Sequence, residues 1–384
     1  MLNLEVFRGP LPSDQDYQSI FAEYQRLTQS DDSERFMHRW CKDSPAGPAL
    51  HALLRTDEGR IVGHACIIPF PIEFARRRMI GGKGHYLFVH EDFRREPVRG
   101  MEASRSRAGT LLLQQLFRHA VEQLAWDPLL MSPVPTAERV LQAAGCRPLT
   151  FTPFECLLIR RPWNACRFTP NLSRGKRLAI FLLGLPQTCI WGALSRLLLP
   201  FGRNMESLPM DARVSSSGNR EKAARIEDRG FSFEENQSVC NPRNSILHSQ
   251  CAKFSSDPDY LSWRYPEEGF GRFGFANRPN DYVVTENGSP HSYVRICQSN
   301  LDSRDSPVLS LIVGLMGQAR SCDALGVRWP IYGNGRPSAA VLNKLKRLGF
   351  VCGRRQRRFL IYTRHEELVD PSYWSFDDSL ITYM

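Results

Sequence analysis

The chain has 384 residues, too many for one ordinary core at about 150 residues per domain, so two units are expected. Apolar residues make up 42% and charged residues 23%, which excludes a disordered or collagen-like chain. A formal charge of +10 would draw phosphates, anionic surfaces or acidic substrates without selecting among them, and solvated arginine-rich faces account for it equally well.

The opening residues, MLNLEVFRGPLPSDQD, hold neither the basic nor the apolar region of a signal peptide, so export is not expected. Ser30–Lys42 places capping residues ahead of apolar and aromatic positions and predicts a short helix ending before Ser44-Pro45-Ala46-Gly47-Pro48. Ala49–Thr56 and Ile61–Phe74 are apolar runs joined by Asp57-Glu58-Gly59-Arg60, which predicts a hairpin. Gly84–His90 is a third strand, after a turn in which Gly81 and Gly82 serve. Gly109–Gln123 repeats apolar residues at helical spacing, with Leu112, Leu116 and Val121 near one face. A strand over Leu129–Val134, a helix over Thr136–Ala144 stopped by Gly145, and a last strand over Phe151–Arg160 complete the first half.

Leu178–Leu194 carries no charge and is flanked by Arg174, Lys176, Arg177 and Arg196. A spanning helix needs about 20 apolar residues, and Gly184, Pro186, Gln187 and Thr188 interrupt this run. The favoured reading is a buried interdomain helix, with docking of residues 178–199 on an anionic membrane surface as the alternative. From Asp211 to about Gln250 the chain turns polar, as a linker does. Pieces of the first half then recur: Phe36–Trp40 against Tyr260–Trp263, a hairpin over Asp281–Thr285 and Ser292–Gln298, and Ala137–Cys146 against Ala340–Phe350, followed by a strand over Arg358–Thr363. A strand and helix fit Leu309–Leu325. The organisation expected is a duplication: a unit over 1–165, a helical segment and linker over 166–250, and a second unit over 251–384.

Eleven cysteines from Cys41 to Cys352 show no CxxC pair and no Cys/His cluster at metal-ligand spacing, so buried thiols in a reducing, cytoplasmic setting and no metal are expected. Trp40, Trp263 and Trp374 read as hydrophobic anchors. The run from Arg354 to Arg358 reads as a solvated edge strand at least as well as a nucleic-acid contact, so nucleic acid is not an expected partner.

Val89–Leu113 reads as a strand, a basic loop and a helix start, whose backbone N–H groups suit a pyrophosphate. Here the chain resembles the GNAT superfamily of N-acetyltransferases, through Arg105-Ser106-Arg107-Ala108-Gly109-Thr110. A second register places Arg94 at the motif arginine, after Val89-His90-Glu91-Asp92-Phe93. Ala108 and Thr110, or Pro97 in the second register, stand where the family prefers glycine, and Leu141 and Leu345 replace its frequent tyrosine acid. The resemblance implies an α/β (α+β) fold of two units, each a mixed central sheet flanked by helices. It implies acetyl-CoA or another acyl-CoA held by Arg94, Arg105, Arg107, Ala108, Gly109 and Thr110, with strand amides at Leu87, Phe88 and Val89 polarising the acyl carbonyl. The second copy lacks the loop, and no cofactor is expected there.

The activity so implied is transfer of an acyl group to the amine of a small polar or sugar-type acceptor by direct attack. His85, Glu91 and Glu73 are the candidate bases, although a lone strand histidine is more often a core residue and Arg105 and Arg107 equally suit a solvated loop. The alternative is a catalytically silent module resting on a partner or on the inner face of a membrane.

Overall fold

A computed structural model describes residues 1–28, 39–75, 77–101, 104, 106–132, 135–151, 154–168, 175, 177–178, 181–182, 184–186, 189, 205–208, 252–254, 258–265, 269–275, 278–299, 308–331, 339–354 and 357–375. The polar segment 211–250 and most of the predicted helix at 30–42 lie outside them, with 39–42 helical. Among the described residues no helix is long and apolar enough to cross a membrane.

The first sheet is built from β1 (Asn3–Arg8), β2 (Leu50–Arg55), β3 (Ile61–Phe74), β4 (Arg77–Val89), β5 (Leu129–Met131) and β6 (Arg147–Phe151). Strands β1 to β4 pair antiparallel in order, and β4 then meets β5 in parallel over only Gly82–Leu129 and Lys83–Leu130. The predicted hairpin is present, its strands buried on both faces as their unbroken apolar runs require. Strand β4 starts at Arg77, earlier than the sequence suggested, so Gly81 and Gly82 sit inside a strand and not in a turn. A side chain at Gly82 would collide with Ile67 and Leu129, so packing demands that glycine.

Helix α1 (Asp14–Thr28) follows β1. It presents Tyr17, Ile20, Phe21 and Tyr24 at helical spacing, and Ser13 Oγ accepts from the Asp16 amide at 3.1 Å. The segment Gly109–Gln123 forms helix α2 (Ala108–Arg118) continued by a π turn over His119–Gln123, and α3 (Pro135–Ala143) ends at Gly145 with φ 103°.

Phe151–Arg160 is not one strand. It divides into β6 and β7 (Phe154–Ile159), and β7 leaves the first sheet altogether. The second sheet comprises β7, β8 (Met205–Leu208), β10 (Phe270–Phe275), β11 (Arg278–Glu286), β12 (Val294–Ser299), β13 (Gly326–Ile331) and β14 (Val351–Arg354); short strands β9 (Ala252–Phe254) and β16 (Trp374–Ser375) join the first. Its order, β8-β10-β11-β12-β13-β7-β14, matches β1-β2-β3-β4-β5-β15-β6, where β15 is Arg357–Tyr362. Along this order each sheet holds one parallel pair among the described residues, β4–β5 or β12–β13, at the same place; the β9–β16 pair of the first sheet lies off it. The helices correspond as well: beyond α4 (Pro162–Phe168) and α5 (Pro258–Arg264), α6 (Val308–Ser321) precedes β13 as α2 precedes β5, and α7 (Ala339–Arg347) precedes β14 as α3 precedes β6. Residues 308–321 are thus all helix, and the strand expected at the start of Leu309–Leu325 is absent.

Each sheet therefore receives its penultimate strand from the other half of the chain. β15 lies between β5 and β6, and β7 lies between β13 and β14. Neither half closes its own sheet, so the cut expected near residue 165 passes through a structural exchange.

Three cores result. One, with Leu112, Leu116, Phe117 and Leu141, lies between the first sheet and α2 and α3. A second, with Leu311, Leu315 and Leu345, lies under α6 and α7. The third joins the halves, packing Tyr17, Trp40, Tyr86, Tyr260, Trp263, Tyr282 and Trp374 together. All three anchor tryptophans are buried. The apolar segment after α4 (Pro162–Phe168) behaves otherwise: Gly184 packs against Pro162 and Ile159, but Leu178, Leu182 and Leu185 face solvent, so its described positions do not form a buried interdomain helix.

Candidate functional site

The central feature of the first sheet is a bulge in β4. On β3, His64 and Cys66 are two residues apart, whereas their partners Phe88 and His85 are three apart, so β4 holds one extra residue. Tyr86 carries the distortion at φ 50°, an uncommon conformation for a bulky side chain. Beyond the bulge, β4 runs on to Val89 while β5 stops at Met131, which leaves the parallel pair open towards the end of β4. The basic loop follows, and α2 starts at the same end of the sheet.

That loop folds back on the helix start. The Ala108 amide donates to the Arg94 carbonyl at 3.3 Å, Arg94 Nε donates to the Val89 carbonyl at 3.2 Å, and the Arg107 carbonyl accepts from the Thr110 and Leu111 amides. Ala108, Gly109 and Thr110 are buried, while Arg94, Arg95 and Arg107 are exposed around them. Arg105 lies outside the described residues.

On the other face of the sheet, a cleft of about 430 Å³ is lined by Asp16, Ser19 and Glu23 of α1, Arg60 of the β2–β3 turn, and Phe88 and His90 at the end of β4. Asp16, Ser19 and Glu23 recur at helical spacing, so one face of α1 supplies its acidic wall. Arg26 grips Glu23 with Nη2 at 2.6 Å and Nε at 2.9 Å, and this hydrogen bonding holds the Glu23 carboxyl below the usual carboxylate range. His90 Nδ1 lies 3.4 Å from Asp92.

No family model matches the sequence, and no curated protein matches it. Solved structures do match. A conserved protein of unknown function from Enterococcus faecalis V583, described as a probable N-acyltransferase, aligns over 96% of this chain and 72% of its own at 8% identity, with a TM-score of 0.51. A GCN5-related N-acetyltransferase from Kribbella flavida aligns over 94% and 71% at 11% identity, with a TM-score of 0.52. The fold is that of the GNAT N-acetyltransferases.

Within this GNAT fold the expected bases are scattered. Glu73 pairs with Arg78 near the far end of the β3–β4 hairpin, ten residues along β4 from Phe88, or roughly 30 Å at strand rise. His85 is 6% exposed in the core between the halves, against Tyr24, Trp40 and Tyr86, and its Nδ1 accepts from the Tyr86 amide at 3.1 Å. Glu73 is too far along the hairpin to reach a group held at Leu87–Val89, whereas His85 lies two residues before Leu87 but is buried in the core. Glu91 is exposed, one residue beyond His90 of the cleft. Leu87 and Val89 face α2, and Phe88 faces α1. Leu141 and Leu345, at the positions where the family often has tyrosine, are buried in the helical cores.

Sequence reasoning missed Asp16, Ser19, Glu23 and His90, because α1 was not recognised. The spacing of Tyr17, Ile20, Phe21 and Tyr24 was the signal that could have found it.

Proposed function

We propose that the first unit is an acyl-CoA-dependent N-acyltransferase, and that its acceptor amine enters through the cleft between α1 and the end of β4. The observation that carries this reading is the bulge: it interrupts the β3–β4 ladder just before Phe88 and Val89, beside an acid-walled cleft on one face and an arginine-rich helix start on the other. Arg94 and Arg107 would hold the cofactor phosphates, aided by the α2 dipole. The acyl thioester supplies the activated carbonyl. Asp16 and Glu23 would bind a cationic amine of a small polar acceptor, and His90 would take its proton before attack. With leucine at the tyrosine position, the leaving thiolate would take its proton from solvent.

Calorimetric titration of acetyl-CoA into the full chain tests this, beside an Arg94→Ala, Arg107→Ala variant. Binding that weakens sharply in the variant, followed by amine-dependent release of free CoA, supports the reading. Folded wild-type protein that binds no acyl-CoA overturns it.

A second reading is favoured by a separate observation: Trp163, Leu178, Leu182 and Leu185 are 70%, 58%, 57% and 42% exposed, beside Arg167 and Arg177. We infer peripheral docking of this face on an anionic lipid surface, with or without catalysis. Co-sedimentation with phosphatidylserine vesicles that is lost in Trp163→Ala, Leu182→Glu supports it; equal recovery with neutral vesicles argues against it.

A further inference from the structure

The spacing of cysteines and histidines along the chain gives no metal motif, yet the β2–β3 hairpin assembles one in space. His51 of β2 and Cys66 of β3 are direct partners in the antiparallel register. His64 lies two residues before Cys66, so strand alternation turns all three side chains to the face that packs on α1. One ligand atom from each lies within 4.8 Å of the others, and all three residues are 0% exposed.

The hydrogen bonds fix the orientation of one ring. His64 Nδ1 is 3.1 Å from the Tyr86 carbonyl, so it is the protonated nitrogen and His64 Nε2 keeps its lone pair. A metal-binding imidazole is normally held this way, its remote N–H on a backbone carbonyl. His64 Nε2 faces His51 Nδ1 at 3.1 Å. At metal–nitrogen bonds of about 2.0–2.1 Å, that separation corresponds to roughly 100° at a shared cation, close to tetrahedral. The Cys66 thiol donates to the His85 carbonyl at 3.6 Å, and the Cys41 thiol, also 0% exposed, is its neighbour outside the cluster of three.

We propose that His51 Nδ1, His64 Nε2 and Cys66 Sγ bind a zinc-class cation, with the neighbouring Cys41 thiol turning in as fourth ligand. On binding, both thiols release their protons to solvent and His51 carries its proton on Nε2. Two thiolates neutralise the dication, so the filled site brings no net charge into the core. The set contains no oxygen donor, which disfavours magnesium and calcium, and four protein ligands make a closed, structural site. The cation enters as the chain folds. It ties β2 and β3 to the Tyr86 carbonyl, and so braces the bulge in β4.

The test is the metal content of full-length protein produced with zinc supplementation and purified without chelators, together with the absorption spectrum of protein produced with cobalt. About one zinc per chain is expected, falling at least tenfold in Cys66→Ala and in His51→Phe, and cobalt-loaded wild type should show a thiolate-to-cobalt charge-transfer band. Folded wild type without zinc, or variants that keep it, overturn the proposal. If the variants fail to fold, the cobalt spectrum of the wild type decides: the band upholds the site and its absence removes it.

Discussion

Thr363 Oγ1 donates a hydrogen bond to Asp127 Oδ1 at 2.5 Å, joining residues 236 positions apart. The Arg364 amide donates to the other carboxylate oxygen at 3.0 Å, and Asp127 is only 4% exposed. Both donors follow β15 directly, so this carboxylate fastens the exchanged strand where it leaves the first sheet. Asp127→Ala removes the acceptor and leaves two donors unpaired, a loss of about 2–4 kcal/mol. Urea unfolding measures it; a change under about 1 kcal/mol would show that the strand ladder alone holds the seam.

Gly82 stands opposite Leu129 where β4 meets β5, and a methyl group there meets Ile67 and Leu129. Gly82→Ala should cost about 1–3 kcal/mol through overpacking, although alanine is the better strand former. A stability equal to or above wild type in urea would show that these side chains can repack.

Lys83 is 2% exposed, and burial, reinforced by Arg264, pushes its ammonium well below the ordinary lysine range. In the unfolded chain Lys83 holds its proton up to about pH 10.5. The unfolded state therefore binds the extra proton, and stability rises as pH climbs through the window between the folded and unfolded values. The slope approaches about 1.4 kcal/mol per pH unit for one proton. Lys83→Met should lack this component between pH 8 and 10; equal slopes in both proteins would place a charged lysine in the native state.

For the proposed acyl transfer, Glu23→Gln should raise KM for a cationic amine about tenfold, the loss of one partly screened charge-assisted hydrogen bond. KM for acetyl-CoA should stay unchanged. Steady-state kinetics separates the two, and a matching rise for both substrates would move Glu23 out of the acceptor site.

The sequence by itself determined the local elements. The Leu50–Phe74 hairpin announced itself because both faces of its strands are buried, which forces unbroken apolar runs around a polar turn. The helices around Leu112 and Leu345 followed from their apolar period, and the likeness of the halves from repeated order. Helix α1 was equally legible in Tyr17, Ile20, Phe21 and Tyr24 and was overlooked. Which strand pairs with which is different. Phe154–Ile159 and Arg357–Tyr362 both read as strands, but their ladder bonds are backbone to backbone and carry no side-chain address, so only packing of the whole chain sends each to the opposite sheet. The same holds for His51, His64 and Cys66: a hairpin register, set by pairing across a turn, brings together ligands that no spacing along the chain reveals.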